Sequence, residues 1–242
     1  MTGESDLASL GALVGDRVRA ALLLRLLDGG ATTASELAAA AGASASLTSS
    51  HLRRLLEGGL VSVTTSGRHR LYRLAGVEVA EMLEAMQLVA PETPVTSLRG
   101  ERSRRRLRRA RLCYDHLAGV LGTAVTDGLV TRGAVVLADG AALGERAEEV
   151  LGEVGLDLAP LRARERRLLR ECTDWTERRP HLAGAVGAAV ATRMIDSAWV
   201  VRRPGSRGLD VTADGAAGLE EWLGLRLRDL DGWRETAPGL AG

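Results

Sequence analysis

The stretch from Ala31 to Ala75, ATTASELAAAAGASASLTSSHLRRLLEGGLVSVTTSGRHRLYRLA, constrains this chain more than any other. Ala34 to Ala41 has the composition of a short helix, and Gly42-Ala43 of a turn. Ser46 to Glu57 reads as a second helix, with Ser44 placed to cap it by accepting an otherwise orphaned N–H. Gly58-Gly59 ends that helix. Leu60 to Thr64 and Arg70 to Leu74 then alternate apolar and polar residues about the turn Ser66-Gly67-Arg68, which predicts a β-ribbon. Helix, turn, helix and ribbon in that order predict a winged helix-turn-helix, which lays its second helix in the DNA major groove and its ribbon against the flanking backbone.

The second helix divides by face. Thr48, Leu52 and Leu55 recur at helical spacing and are expected in the core. Ser46, Ser49, Ser50, Arg53 and Arg54 are left for phosphates or base edges. Arg68, His69 and Arg70 lie at the ribbon tip, where backbone or minor-groove contacts are expected. His51 has two readings, a phosphate contact at the helix surface or a packed residue beside Leu52.

Charge supports the same face. The chain has no Lys, so all 32 basic residues are Arg, and the formal net charge is only +1. Residues 1–98 hold 8 Arg against 10 acids, yet residues 46–73 hold five Arg against Glu57 alone. The positive charge is therefore local to the expected DNA-facing part.

Around this stretch, Leu7 to Val14 and Asp16 to Leu27 read as helices, the second stopped by Asp28-Gly29-Gly30. Val77 to Ala90 reads as a further amphipathic helix. Pro91-Glu92-Thr93-Pro94 breaks the pattern, which gives an expected DNA-binding domain over 1–90, a linker over 91–100 and a second domain over 101–242. The expected fold class is mainly α with small β-hairpin wings. The N-terminus lacks a basic segment followed by a long apolar one, and no apolar run approaches the roughly 18 residues of a membrane span, so a cytoplasmic location without membrane partners is expected.

The first 90 residues resemble the ArsR-type winged-helix repressors. The resemblance rests on Ser44-x-Ser46, Ser49-Ser50-His51-Leu52-Arg53-Arg54-Leu55, Gly59-Leu60-Val61, Gly67-Arg68 and Tyr72-Arg73-Leu74. It implies a homodimer whose first and last N-terminal helices pack across a two-fold axis. Two recognition helices would then read operator half-sites about one turn of double-stranded DNA apart. It also implies repression relieved by an effector, often a metal. Two departures matter. The helix Ala34 to Ala41 lacks the Cys of metal-sensing members, and Glu78 to Met86 has acids but no His. Neither usual metal site carries over, and the small-molecule or ion effector stays unknown.

The second domain is read as follows. Glu101 to about Val125 is expected to be one Arg-dense helix, either a solvated face or a site for phosphates or an anionic effector. Leu143 to Leu151, Leu161 to Glu171, Leu182 to Ile195 and Ala216 to Leu223 read as helices. Ala198 to Arg203 and Leu209 to Thr212 read as a hairpin. His181-Leu182, helix, strand, Gly turn, strand and helix echo His51-Leu52 and its sequel, which suggests a second, degenerate winged helix; the alternative is an unrelated α+β domain ending in a hairpin.

Two segments there share Cys-x-Asp and His-Leu-Ala-Gly: Cys113 to Gly119, and Cys172 to Gly184. They resemble segments of longer ArsR-type regulators. Cys113 and His116, taken as i and i+3 on a helix, could face one ion, with Cys172 and His181 completing a four-ligand set and Asp115 and Asp174 in reserve. A redox pair of Cys113 and Cys172 is a second reading. Two buried structural cysteines are the third and preferred one, so no cofactor is assigned and a metal is not favoured. Trp175 and Trp199 are candidates to line an effector pocket, with Arg178 and Arg179 able to take an anion. No Walker loop, GxSxG or HExxH is present, and catalysis is not expected. The expected function is a DNA-binding transcriptional regulator, a repressor released by an effector bound in the second domain; the alternative is an effector-binding or protein-interaction module whose winged helix no longer grips DNA, against which the Arg- and Ser-bearing helix argues.

Overall fold

The computed structural model describes residues 5–27, 30–91, 94–138, 140–163 and 165–233. The chain divides into two compact units, one of residues 1–86 with 204–206 and one of residues 87–203 with 207–242.

In the first unit, α1 (Leu7–Val14) and α2 (Arg17–Leu26) are each opened by an aspartate, Asp6 and Asp16, that accepts backbone N–H groups of its first turn. Gly30 apart, the expected stop Asp28-Gly29-Gly30 lies outside the described residues. A short strand β1 (Thr32–Thr33) leads into α3 (Ala34–Ala41). There Thr33 and Glu36 form a reciprocal capping box, and Gly42 closes the helix in the left-handed conformation. The recognition helix α4 (Ala45–Glu57) is capped by Ser44, whose Oγ accepts the Leu47 N–H at 3.3 Å. Strands β2 (Val61–Ser66) and β3 (His69–Leu74) form the wing in register Val61 opposite Leu74 through Ser66 opposite His69. β1 pairs with the other edge of β3, giving the order β1-β3-β2. Leu22, Leu23, Leu26, Leu37, Leu52, Leu55 and Leu74 bury completely or nearly so between α2, α3, α4 and the sheet. Helix α5 (Val77–Val89) follows.

In the second unit, α6 (Leu98–Arg109) has no buried residue. The Arg run is thus largely a solvated face. The expected continuous helix to Val125 does not form. Ala110 turns extended (φ −154°), and the chain folds into a hairpin of β4 (Arg111–Cys113) and β5 (His116–Ala118) before α7 (Gly119–Thr131). All six hairpin residues are buried, so no polar alternation marked them as strand. A second hairpin, β6 (Val135–Ala138) with β7 (Gly140–Leu143), leads to α8 (Ala147–Gly152).

The sequence Leu161 to Glu171 is also not one helix. It holds the end of the four-residue α9 (Ala159–Arg162) and the start of β8 (Arg170–Thr173), which pairs with β9 (Pro180–Ala183). Helix α10 (Gly184–Asp196), hairpin β10 (Val200–Arg202) with β11 (Leu209–Val211), and α11 (Ala213–Leu223) complete the unit.

This order is a repeat. Hairpin, helix, hairpin and helix occur first as β4-β5-α7-β6-β7-α8 and again as β8-β9-α10-β10-β11-α11. The echo seen in the sequence is therefore strongest within the second unit. Helix and wing do follow one another there, but a hairpin, not a helix, precedes α10. The halves pack reciprocally: β5 lies on α10, β9 lies on α7, and β5 touches β9. At the junctions Gly119 (φ +74°) and Gly184 (φ +84°) turn each chain from strand into helix, a conformation that disfavours a side chain. Both halves share one core, with Leu117, Leu121, Val125 and Leu129 set against Leu182, Val186, Val190 and Met194. No described helix is long and apolar enough to cross a membrane.

Candidate functional site

On α4, Thr48, Leu52 and Leu55 point inward. The opposite face presents Ser46, Ser49 and Arg53 to solvent, with Arg54 exposed beside them and Ser50 half-buried. These positions follow i, i+3, i+4 and i+7, so they form one stripe along the helix. Arg68, His69 and Arg70 are all exposed at the wing tip. Arg53 lies 4.0 Å from Glu57, a loose surface pair that leaves its guanidinium available.

His51 is the exception on this helix. Its ring is buried, with Nδ1 3.3 Å from Arg19 Nη1 and 3.7 Å from Asp16 Oδ1. Arg19 is itself buried and donates to the carbonyls of Ala12 and Leu13 at 2.5 Å each. The packed alternative for His51 describes this geometry: the imidazole holds α4 to the α1–α2 corner. Sequence reading missed Arg19, although it stands on the buried face of α2, with Leu22, Leu23 and Leu26 at i+3, i+4 and i+7; that spacing was the available signal.

In the second unit, the hairpins bring the two Cys-x-Asp segments together. Cys113 stands directly opposite His116 across β4-β5, and Cys172 opposite His181 across β8-β9. The expected i, i+3 helical placement of Cys113 and His116 is thus replaced by cross-strand pairing. A spacing of three fits both a helix turn and a two-residue hairpin turn, here Tyr114-Asp115 with Tyr114 at φ +63°. The sulfurs of Cys113 and Cys172 are 3.8 Å apart, and Nε2 of His116 is 3.2 Å from Nε2 of His181. The imidazoles stack with centroids 5.0 Å apart. One donor atom from each of the four side chains lies within 4.8 Å of the others, a group able to hold a metal ion.

Both reserve aspartates stand behind this cluster. Asp115 Oδ1 is 3.1 Å from His116 Nδ1, and Arg166 holds the same carboxylate bidentately. Burial works against the Asp115 charge, but His116 and Arg166 outweigh it and bring its pKa down to about 2. Asp174 Oδ2 lies 3.9 Å from His181 Nδ1 and accepts from Arg111 Nη2 (2.9 Å) and the Gly119 N–H (2.6 Å). Burial again opposes its charge, and Arg111, Thr176 and Gly119 overcome it, so Asp174 stays well below the usual carboxylate range. The Cys172 thiol is lowered by the Cys113 hydrogen bond and, against its burial, by the two imidazoles. Burial disfavours the His116 cation, yet Asp115 and Cys172 raise its pKa overall.

The remaining candidates do not join the cluster. The Arg111 guanidinium lies over Trp175, 4.9 Å from the ring centroid, and Trp175 is not among the residues lining the cleft at Trp199. Trp199 instead lines a cleft of about 560 Å³ with Trp222, Met194, Val190 and Arg193. Arg178 and Arg179 are exposed on the long turn between β8 and β9, where Arg179 pairs with Asp127 at 2.6 Å. Arg166, the partner of Asp115, had no signal in the sequence, since it sits among other Arg residues at a distance of 51 positions.

The family model "Bacterial regulatory protein, arsR family" matches residues 17–63, from α2 through α4 into the wing. The HTH-type transcriptional regulator YdfF of Bacillus subtilis (strain 168) is 35% identical over 223 residues, spanning 92% of this chain and 99% of that protein. The chain belongs to the ArsR family. This ArsR-family protein is a DNA-binding transcriptional regulator and not an enzyme. Its likeness to YdfF runs beyond the winged helix into the repeated second unit. Solved structures with which it aligns are smaller. The homodimeric winged helix-turn-helix DNA-binding domain of a possible ArsR-family regulator from Mycobacterium bovis is 31% identical, covering 37% of this chain and 89% of its own (TM-score 0.32). The cadmium metal-sensor CMTR from Mycobacterium tuberculosis is 34% identical, covering 38% and 98% (TM-score 0.30).

Proposed function

We propose that this ArsR-family regulator is a homodimeric repressor of the cytoplasm, with residues 1–90 binding DNA and the unit beyond them receiving the effector that releases it. The observation that carries the DNA reading is the single stripe of exposed Ser46, Ser49 and Arg53 with half-buried Ser50 on α4, continued by Arg54 and by Arg68, His69 and Arg70 on the wing. Hydroxyls and guanidinium groups on one face, with no carboxylate among them until Glu57, suit phosphates and guanine edges. Dimerisation is supported by apolar side chains left outside on the helices that ArsR-type dimers place at their two-fold axis: Leu7 on α1 is 72% exposed and Val89 on α5 is 85% exposed. Two recognition helices would then read half-sites about 10 base pairs apart.

Input is assigned to the second unit because it holds both the Cys-His cluster and the cleft beside Trp199. The test is a titration of the full-length protein against fragments from around its own operon, at moderate salt, with random DNA as competitor. Specific binding at least about 10³-fold tighter than non-specific binding is expected, with a two-half-site footprint. Binding that competitor DNA removes equally would sink this reading.

A further inference from the structure

We infer that Cys113, His116, Cys172 and His181 form a closed tetrahedral site for one zinc-class divalent ion, which ties the two repeats of the second unit together. A tetrahedron with metal–sulfur bonds of about 2.3 Å and metal–nitrogen bonds of about 2.0–2.1 Å has a sulfur–sulfur edge of roughly 3.8 Å and a nitrogen–nitrogen edge of roughly 3.3–3.4 Å. The corresponding distances here are 3.8 Å and 3.2 Å. The donor set is two sulfurs and two imidazole nitrogens, which suits zinc and discriminates against the oxygen-seeking calcium and magnesium. Four protein ligands leave no open position, as in sites that hold structure and do not run chemistry.

Hydrogen bonding points the same way. A buried imidazole needs partners for both ring nitrogens. Two Nε2 atoms facing each other can share only one hydrogen, and among the described residues His181 Nδ1 has no hydrogen-bond partner although its side chain is fully buried. An ion between the rings would take both Nε2 lone pairs and leave both Nδ1 atoms protonated. His116 Nδ1 would then donate to Asp115 Oδ1, and His181 Nδ1 would face Asp174 Oδ2. Carboxylates behind metal-bound histidines fix the tautomer and orient the ring in this way.

Charge also balances. The two thiols would release their protons on binding, and the divalent ion would neutralise the two thiolates without any change of oxidation state. Asp115 and Asp174 are already matched by Arg166 and Arg111. Each hairpin supplies one sulfur and one nitrogen, so neither half can complete the set alone. Burial of Cys113, His116 and His181, with Cys172 half-buried, keeps water and competing ligands away.

The inference concerns the second unit alone and can fail or succeed whatever the protein does to DNA. Its test uses full-length protein purified with reductant, stripped with a chelator, and reloaded with Zn²⁺ or Co²⁺ before gel filtration. The result expected is about one zinc per chain, and an intense tetrahedral cobalt spectrum with a thiolate charge-transfer band. Maleimide should label Cys172, the more accessible of the two cysteines, in the stripped protein and spare it in the loaded one. Cys113→Ser and His181→Ala should each weaken zinc binding by at least about tenfold. Should either variant fail to fold, labelling and the cobalt spectrum of the unaltered chain still decide. Sub-stoichiometric zinc after reloading, a pale octahedral cobalt spectrum, or a Cys113–Cys172 disulfide trapped by alkylation at cell lysis would overturn the inference.

Discussion

Arg111 and Asp174 form an ion pair in which neither side chain reaches solvent, with Nη2 and Oδ2 2.9 Å apart across 63 residues of chain. Arg111 also donates to the Leu107 carbonyl and Thr176 Oγ1 and lies over Trp175. Asp174 accepts from the backbone of Gly119, Thr176 and Glu177. Removing one partner strands the other charge in the core. Arg111→Met or Asp174→Leu alone is expected to destabilise the second unit by about 3–5 kcal/mol, whereas the double substitution recovers most of that loss. Urea unfolding followed by tryptophan fluorescence measures it, since the pair sits against Trp175. A double-variant loss equal to the sum of the two single losses would show that the pair is not coupled.

That pair also shows where sequence reading stops. The faces of α4 were legible because a 3.6-residue period sorts Thr48, Leu52 and Leu55 from Ser46, Ser49 and Arg53 with no knowledge of the rest of the molecule. Arg111 ends a run of arginines that are mostly solvated, and nothing local distinguishes the one that turns inward. Strands three residues long carry too few positions to show alternation, so β4 and β5 read as a continuation of the Arg helix. The recurrence of Cys-x-Asp and His-Leu-Ala-Gly did signal a relation between the two segments. Its meaning as two crossed hairpins depends on contacts between residues 65 apart, which periodicity does not register.

For His51, the geometry separates a packing role from a DNA role. His51→Ala leaves the buried Arg19 guanidinium short of a neighbour. A loss of about 1–3 kcal/mol in stability of the first unit is expected. At temperatures where the variant stays folded, operator affinity should change less than threefold. A large affinity loss with unchanged thermal stability would return His51 to the DNA interface.

Arg54 makes the opposite prediction. It is exposed at the end of the α4 stripe. Arg54→Ala should leave thermal unfolding unchanged. If it contacts phosphate, it should reduce the slope of log affinity against log salt by about 1 with uniform weakening across sequences; if it contacts a base, it should cost about 1–3 kcal/mol at one operator position. Fluorescence anisotropy at several salt concentrations, with matched operator variants, tells these apart. Unaltered affinity under all conditions would remove Arg54 from the interface.

Glycine tolerance should differ sharply between the two units. At Gly184 (φ +84°) a Cβ would come within 2.8 Å of the Leu168 carbonyl oxygen, while at Gly42 (φ +60°) it would meet nothing within 4 Å. Gly42→Ala should therefore cost only the left-handed backbone penalty, about 1–2 kcal/mol. Gly184→Ala adds a clash with fixed backbone and should cost distinctly more. Parallel melting curves of the two variants check the ranking, and comparable losses would contradict the tight strand-to-helix turn.

The reciprocal packing of β5 on α10 and β9 on α7 has a consequence for dissection. Each repeat owns two of the four donors and the platform on which its sibling's helix rests. A fragment carrying one repeat would be left with an unmet face and half a valence set, and the natural way to satisfy both is a second copy of itself. The second unit is thus built as a dimer is, from two like halves that complete one another, here joined in one chain, with a longer turn before His181 than before His116.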